Sequence, residues 1–158
     1  MDLKWPWQRR ERRLEVRTAQ EVYTEMLANR ISPFMREQGF TGSQGKYSLR
    51  SPGYWVLAGF QRSAYSTRSE VTFTINLLVV SRAEWELLRQ ERPELSESPS
   101  ANIYGGVPDH ERIGSLTESG QDLWWKVSAG MDGDEVAANV TEVLRDFGIP
   151  WLRAKAGL

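Results

Sequence analysis

The chain has 158 residues, of which 40% are hydrophobic and 26% charged, with no cysteine and a formal net charge of −1. This is the composition of a soluble globular domain, and a chain of this length buries roughly 68–70% of its unfolded surface, which allows a real core. Disulfides, thiolate zinc sites and a cysteine nucleophile are excluded. The small net charge argues against a general binder of nucleic acid or other polyanions.

The charge is concentrated at the start of the chain. Residues 1–17 contain six basic and three acidic residues, whereas 18–158 contain fourteen basic and eighteen acidic residues. We therefore predict a basic N-terminal arm over 1–17 and a single domain over 18–158. Trp5 and Trp7 lie among the cations of the arm, a combination that suits an anionic membrane surface, nucleic acid, or packing on the same domain or on a second copy in a homo-oligomer.

No apolar run reaches the ~18 residues needed to span a bilayer. The basic residues of the arm are not followed by the continuous apolar segment of a signal peptide. We therefore expect a cytoplasmic protein.

The first predicted element is a helix over 19–38. Thr18 and Glu21 form a capping box, and apolar residues then recur at helical spacing. Pro33 lacks a backbone donor, which predicts a kink or a break near Arg30. Gly39 is expected to be the left-handed cap, with the next residue folding back onto the helix.

Three strands follow. Residues 46–50, 54–61 and 70–80 show alternating or continuous apolar patterns. The stretch between the second and third strands is polar and loop-like, so these two strands are predicted to form a long hairpin.

The next region is predicted to be a short helix and a long loop. Ser81 and Glu84 form a second capping box, and Pro93 ends the helix. Residues 93–110 are rich in Ser, Pro, Gly and Glu without periodicity, which is typical of a surface loop.

The last predicted elements are two strands, over 112–117 and 123–128, and a helix. The helix begins near Asp132 and ends at Gly148 and Pro150. The order and short links predict an α+β fold, with a mostly antiparallel sheet of four or five strands and helices packed on one face.

Two adjacent tryptophans in the last strand suggest a binding surface. Successive strand residues point to opposite faces, so Trp125 is expected to enter the core while Trp124 faces outward with its neighbours of the same parity. A polar sheet face with a large aromatic side chain suits a ligand or a partner protein. The alternative is that Trp124 is covered by the loop 93–110 or by the arm. The candidate binding residues are Trp124, Asp122, Lys126, Asn76, Thr74, Thr72, Gln61 and Arg62.

Four segments, ISPFMREQGF, GFQRSAYSTRSEVTFTINLLVV, RIGSL and DLWWKV, together resemble the bacterial domain of unknown function 4304 family. The shared motifs are a proline before a Gly-Phe helix end, a Gln-Arg-Ser at a strand end, and an Asn in the following apolar strand. The resemblance covers about residues 18–150. It implies a compact α+β domain and no known activity, with Gln61, Ser63 and Asn76 matching the recurrent polar residues of the family.

Motifs for catalysis or cofactor binding are weak. His110 is the single histidine, and neither a G-x-S-x-G elbow nor a phosphate-binding glycine motif occurs. The sequence MDGDE at 131–135 resembles part of a calcium loop but lacks its ligand spacing, so helix capping is favoured and no metal or cofactor is predicted. Arg62 and Arg68 flank a hydroxyl-rich loop that is either an anion site or simply solvated.

The leading hypothesis is a non-enzymatic binding or interaction module, such as an inhibitor or immunity-type protein, that uses the open sheet face. The alternative is a hydrolase-like enzyme with a cleft near the 93–110 loop, for which a perturbed carboxylate beside His110 or Arg112 would be the signature. A third hypothesis is a structural role in a homo-oligomer.

Overall fold

The computed structural model describes residues 17–103 and 106–158. The predictions for Trp5, Trp7 and the rest of the arm up to residue 16 lie outside this part of the chain. The predicted fold class is confirmed, because the described residues form one antiparallel sheet, of six strands, together with helices.

The first helical region has three consecutive segments. Helix α1 (Ala19–Met26) is followed by a π-helical turn (Leu27–Ile31) and by α2 (Ser32–Glu37). The predicted cap is present, because the Thr18 hydroxyl accepts a hydrogen bond from the Glu21 backbone N–H at 3.1 Å.

The irregularity that was predicted near Arg30 is a π-helical turn. In a regular α-helix the nitrogen of Pro33 would face the carbonyl of Asn29 without a hydrogen to donate, and its ring would clash there. The wider turn avoids this arrangement: the Ser32 N–H donates to the Leu27 carbonyl, five residues back. The helix therefore continues through the proline.

A short hairpin follows the helix; its second strand lies within the predicted strand 46–50, and its first strand was not predicted. Strand β1 (Phe40–Ser43) pairs with β2 (Lys46–Leu49) through a turn in which Gln44 and Gly45 both have positive φ, 54° and 82°. Such φ values are typical of the tight turns that match the twist of a hairpin. The predicted left-handed cap is confirmed, since Gly39 has a φ of 93°.

The long central hairpin is confirmed. Strand β3 (Tyr54–Arg62) pairs with β4 (Glu70–Ser81), which is the longest strand. On its other edge β4 pairs with both β5 (His110–Arg112) and β6 (Trp125–Ser128). The sheet order is β1-β2-β3-β4. The far edge of β4 pairs with β6 along residues 70–73 and with β5 along residues 76–78.

The strand predicted over 112–117 is wrong beyond Arg112. A 3₁₀ turn, Ile113–Leu116, takes its place. At Gly114 an added Cβ would lie 2.3 Å from the Gln121 carbonyl oxygen, so the chain folds back tightly on itself here. Ile113 and Gly114 are adjacent and both buried, whereas successive residues of a strand point to opposite faces.

The predicted second helix is α3 (Arg82–Glu91), and its cap is present: the Ser81 hydroxyl accepts a hydrogen bond from the Glu84 N–H at 3.0 Å. Trp85 is its buried residue and packs with Leu78 of the sheet. Because Leu78 alternates with the residues that face the other helices, α3 lies on the opposite side of the sheet.

The final helix is longer than predicted. Helix α4 (Asp134–Val143), a π-helical turn (Leu144–Gly148) and α5 (Ile149–Ala156) are continuous. The predicted end at Gly148 and Pro150 is wrong, because a π-helical turn again precedes a proline and accommodates it. Among the described residues no helix has the length and apolar character needed to cross a membrane.

The sheet separates two apolar clusters of different size. On what we call the helix face, α1, α2, α4 and α5 pack over a large core in which Phe73 stacks with Phe60 and with Trp125, at centroid distances of 5.9 and 5.6 Å. On the second face, a smaller cluster around Trp85 lies beneath α3 and the loop that follows it.

Candidate functional site

The adjacent tryptophans point to different environments, as the sequence predicted. Trp125 is 7% exposed, and its indole N–H donates to the Asn139 amide oxygen of α4 at 2.8 Å. Trp124 is 37% exposed and precedes the first residue of β6. Trp125 therefore belongs to the core, and Trp124 remains on the surface.

Trp124 belongs to a compact polar cluster at one end of the second face. Its indole N–H donates to the Asp122 carboxylate at 2.8 Å, and Arg112 donates to the same oxygen at 2.8 Å. The Arg112 guanidinium also lies 5.2 Å from the centroid of the Trp124 ring. Burial opposes ionisation of Asp122, but the hydrogen bonds from Trp124 and Arg112 outweigh it and hold the pKa of this carboxyl below its usual value. A carboxylate with a perturbed pKa therefore does lie beside Arg112, as the enzyme alternative required, but the shift is downward and favours the ionised, hydrogen-bonded form.

Two of the other predicted residues lie near this cluster. Lys126 is exposed and pairs with Glu70 at 3.6 Å, and Thr72 is its half-buried partner on β4. These residues and the cluster around Trp124 form what we call the Trp124 surface.

Thr74 and Asn76 are not exposed, and this part of the prediction is wrong. Both are 0% exposed. The Thr74 hydroxyl donates to the Leu123 carbonyl at 2.7 Å, and the Asn76 amide donates to Gln61 at 2.7 Å and to Asn102 at 2.9 Å. Each side chain donates a hydrogen bond to the segment that covers it, as a buried polar group requires.

Arg62 lies on the other side of the sheet from Trp124. Its guanidinium is 5.9 Å from the centroid of the Tyr23 ring, which belongs to α1. The expectation that Arg62 contributes to the face around Trp124 is wrong, because its parity in β3 places it with Phe60 on the helix face.

An amide cluster of the buried Asn76 and the half-buried Gln61 and Asn102 holds the loop after α3 against the second face. Asn102 receives the hydrogen bond from Asn76 and donates to the Phe60 carbonyl at 3.2 Å. The loop approaches so closely that a Cβ at Gly59 would lie 2.6 Å from the Asn102 amide oxygen. Glycine at this position is therefore required for the contact.

This loop forms one wall of a groove on the second face. The groove has a volume of about 420 Å³, lies over β1, β2 and β3, and is bounded by residues 98–102. Its floor includes Ser48 and Leu57, and one side is Trp55, which lies under the Arg82 guanidinium at 4.0 Å. Thr41 on β1 donates to the Ser48 carbonyl at 3.4 Å at the outer side.

Comparison with known proteins identifies the family. The model of a domain of unknown function (DUF4304) matches residues 31–154. The chain belongs to this family. No curated protein and no solved structure matches the chain.

The DUF4304 match includes β1 to β6, the amide cluster and the groove, whereas α1 precedes it. Of the recurrent polar residues that the resemblance indicated, Gln61 and Asn76 lie in the amide cluster, and the Ser63 N–H donates to the Thr72 carbonyl at 2.8 Å, where the central hairpin ends. Gln61 and Asn76 therefore support the second face, whereas Ser63 contributes a backbone hydrogen bond to the central hairpin.

The groove was not predicted from the sequence. Trp55, Leu57 and Ser48 have the parity of the second face, and this signal was available. The wall was not predictable, because nothing in the irregular segment 93–110 indicated that Asn102 reaches Asn76.

The remaining candidates for chemistry have structural contacts. A ring nitrogen of His110, Nδ1, lies 2.6 Å from the Val107 carbonyl oxygen. Asp132 accepts a hydrogen bond from the Asp134 N–H at 2.9 Å, just before α4. Across residues 17–103 and 106–158, no group of three or more His, Asp or Glu side chains has the arrangement of a metal site.

Proposed function

We propose that this protein is a non-enzymatic binding module that holds an extended segment of a partner protein in the groove on the second face. The observation that carries the proposal is the groove itself, which stays open beside an edge strand although α3 and its loop cover the centre of the same face.

The size and chemistry of the groove suit a few side chains of a peptide. A volume of about 420 Å³ falls within the range of roughly 300–1,000 Å³ that is typical of ligand sites. Trp55 and Leu57 offer apolar surface, and aromatic residues often dominate binding energy. Ser48 and Thr41 add hydroxyl groups that can orient the backbone of a ligand.

Strand β1 offers the backbone groups that an extended segment needs. In the described part of the chain β1 pairs with β2 on one edge only. A peptide that adds to the free edge gains main-chain hydrogen bonds, and every second side chain then points toward the groove. This geometry favours a peptide over a compact small molecule.

The Trp124 surface lies at the other end of the same face and is the rival position for a partner. There the polar groups already satisfy one another, because Asp122 accepts from both Trp124 and Arg112. A partner would have to compete with these bonds, which reduces the gain from binding.

The test is selection from a library of random heptapeptides displayed on phage, followed by titration of the ¹⁵N-labelled protein with the selected peptide. We expect the amide signals of Phe40–Ser43 and of residues 98–102 to shift, with a dissociation constant in the micromolar range. Shifts centred on Asp122 and on the Trp124 indole would contradict the groove. A selection that yields no peptide binding more tightly than about 1 mM would contradict the proposed function itself.

A further inference from the structure

A second concave site lies on the helix side of the sheet and shares the lining residue Lys46 with the groove. It has a volume of about 580 Å³ and is enclosed by the helical region Tyr23–Arg36 and by the ends of β2 and β3. Three of its lining residues are cations, Arg36, Lys46 and Arg62, and we call it the cationic cavity.

The three cations have no acidic partner in the described chain. No carboxylate lines the cavity, and none lies within 4.0 Å of their charged groups among residues 17–103 and 106–158. Elsewhere the surface cations often pair with carboxylates; for example, Arg30 pairs with Asp134 at 2.8 Å and Arg112 with Asp122 at 2.8 Å. The cavity therefore gathers positive charge that a bound anion would neutralise.

Tyr23 is a buried polar group in the wall of the same cavity. It is 6% exposed, its ring packs on Phe73, and its hydroxyl makes no hydrogen bond to the part of the chain that the structure describes. Burial raises the pKa of this hydroxyl well above its usual value, although Arg62 opposes the shift, so the group stays protonated and remains a donor. A phenol hydroxyl in the wall of the cavity can donate a hydrogen bond to a ligand oxygen.

The π-helical turn brings Arg36 to this cavity. Between Thr24 and Arg36 an α-helix would turn three times and roughly a third of a turn more, which would place the two side chains on different sides. The extra residue of the turn Leu27–Ile31 removes most of that difference, and Thr24, Ser32 and Arg36 all line the cavity. The turn that accommodates Pro33 thus also completes the cluster of cations.

We propose that the cationic cavity binds a small organic phosphate, with the guanidinium groups of Arg36 and Arg62 on the phosphate and the apolar wall of Leu27 and Phe60 against its organic part. Planar guanidinium groups match the oxygens of a phosphate through paired, charge-assisted hydrogen bonds. The apolar wall distinguishes such a ligand from an inorganic ion. The proposal does not depend on the peptide groove: the two sites share Lys46, but Arg36 and Arg62 line the cavity and not the groove.

The test uses phenyl phosphate as the probe and inorganic phosphate as its comparison, both measured by isothermal titration calorimetry at constant ionic strength. We expect phenyl phosphate to bind with a dissociation constant of about 1 mM or lower, and inorganic phosphate to bind more weakly. No heat of binding at about 10 mM phenyl phosphate, or equal affinity for the two anions, would overturn the proposal.

Charge-removing variants locate the site. Arg36→Gln and Arg62→Gln should each weaken phenyl phosphate binding by about tenfold or more. Arg68→Gln is the matched control, because it removes the same charge from an exposed arginine that does not line the cavity, and it should change the affinity by less than about twofold. An equal loss in all three variants would show non-specific attraction and overturn the assignment. All three side chains are exposed, so thermal unfolding should show that the variants stay folded.

Discussion

The two faces of the sheet differ in how they are covered. On the helix face, residues of one parity along β3, β4 and β6 pack continuously beneath four helical segments, and the aromatic rings around Phe73 stack at the centre. On the second face, α3 and one pinned loop cover the middle and leave a groove at one end and the Trp124 surface at the other. The comparison indicates that stability depends mainly on the helix face, whereas the second face has surface available for binding.

The largest expected effect is a difference in the free energy of unfolding that is lost when a side chain is removed from each face. Phe73→Ala should lower the free energy of unfolding by about 3–5 kcal/mol, because Phe73 is fully buried and stacks on neighbouring rings. Leu57→Ala on the half-buried floor of the groove should cost about 1 kcal/mol. Urea unfolding of both variants provides the measurement, and equal losses would remove the distinction between the faces.

The adjacent tryptophans give the same comparison over a single peptide bond. Trp125→Ala should cost about 3–5 kcal/mol because it removes a core ring and leaves Asn139 without its donor. Trp124→Ala should cost less than about 1 kcal/mol, since the side chain is partly exposed and its contacts lie on the surface. Chemical denaturation should be monitored by far-ultraviolet circular dichroism, because removing a tryptophan changes the intrinsic fluorescence of the protein. A large loss for Trp124→Ala would place this residue in the core.

The amide cluster is expected to stabilise the second face and to hold the loop after α3 in place. Asn76→Ala should cost about 1–3 kcal/mol because it removes a fully buried side chain that donates hydrogen bonds to the half-buried amide oxygens of Gln61 and Asn102. Asn102→Ala should mainly release the loop, so limited proteolysis should cut within 93–103 faster than in the wild type. Unchanged proteolysis in Asn102→Ala would show that the loop is held by other contacts.

The smallest expected effect is a pH dependence at the Trp124 surface. The folded-state pKa of Asp122 lies below its ordinary value of 3.8, so its contribution to stability is complete above that value and is lost as the pH falls through the lower, folded-state pKa. The Trp124 indole N–H signal in NMR should titrate with a midpoint below 3.8, and Asp122→Asn should abolish the titration. A midpoint at or above 3.8 would contradict the hydrogen-bonded arrangement.

The elements with regular patterns were predictable, and those set by distant contacts were not. The central strands, the capped starts at Thr18 and Ser81, and the fold class followed from periodicity and capping chemistry. The helix through Pro150 was missed because proline and glycine normally end helices, and the sequence does not reveal a π-helical turn.

The candidate site was predictable only in part. Alternation separated Trp124 from Trp125 correctly, because strand parity is a local property. The burial of Thr74 and Asn76 was not predictable, since it depends on segments far along the chain that cover them. Polar strand residues indicate either solvent or a buried partner, and the sequence alone does not distinguish the two.

The most direct measurement compares two matched substitutions on the second face, using the heptapeptide selected for binding. Ser48→Arg places a long side chain on the floor of the groove, and Thr72→Arg places the same side chain beside Lys126 at the Trp124 surface. We predict that Ser48→Arg weakens the peptide by at least about tenfold in fluorescence anisotropy while Thr72→Arg binds as the wild type does, with both variants folded. Wild-type affinity in Ser48→Arg, or a loss confined to Thr72→Arg, would contradict the central claim that the groove holds the partner.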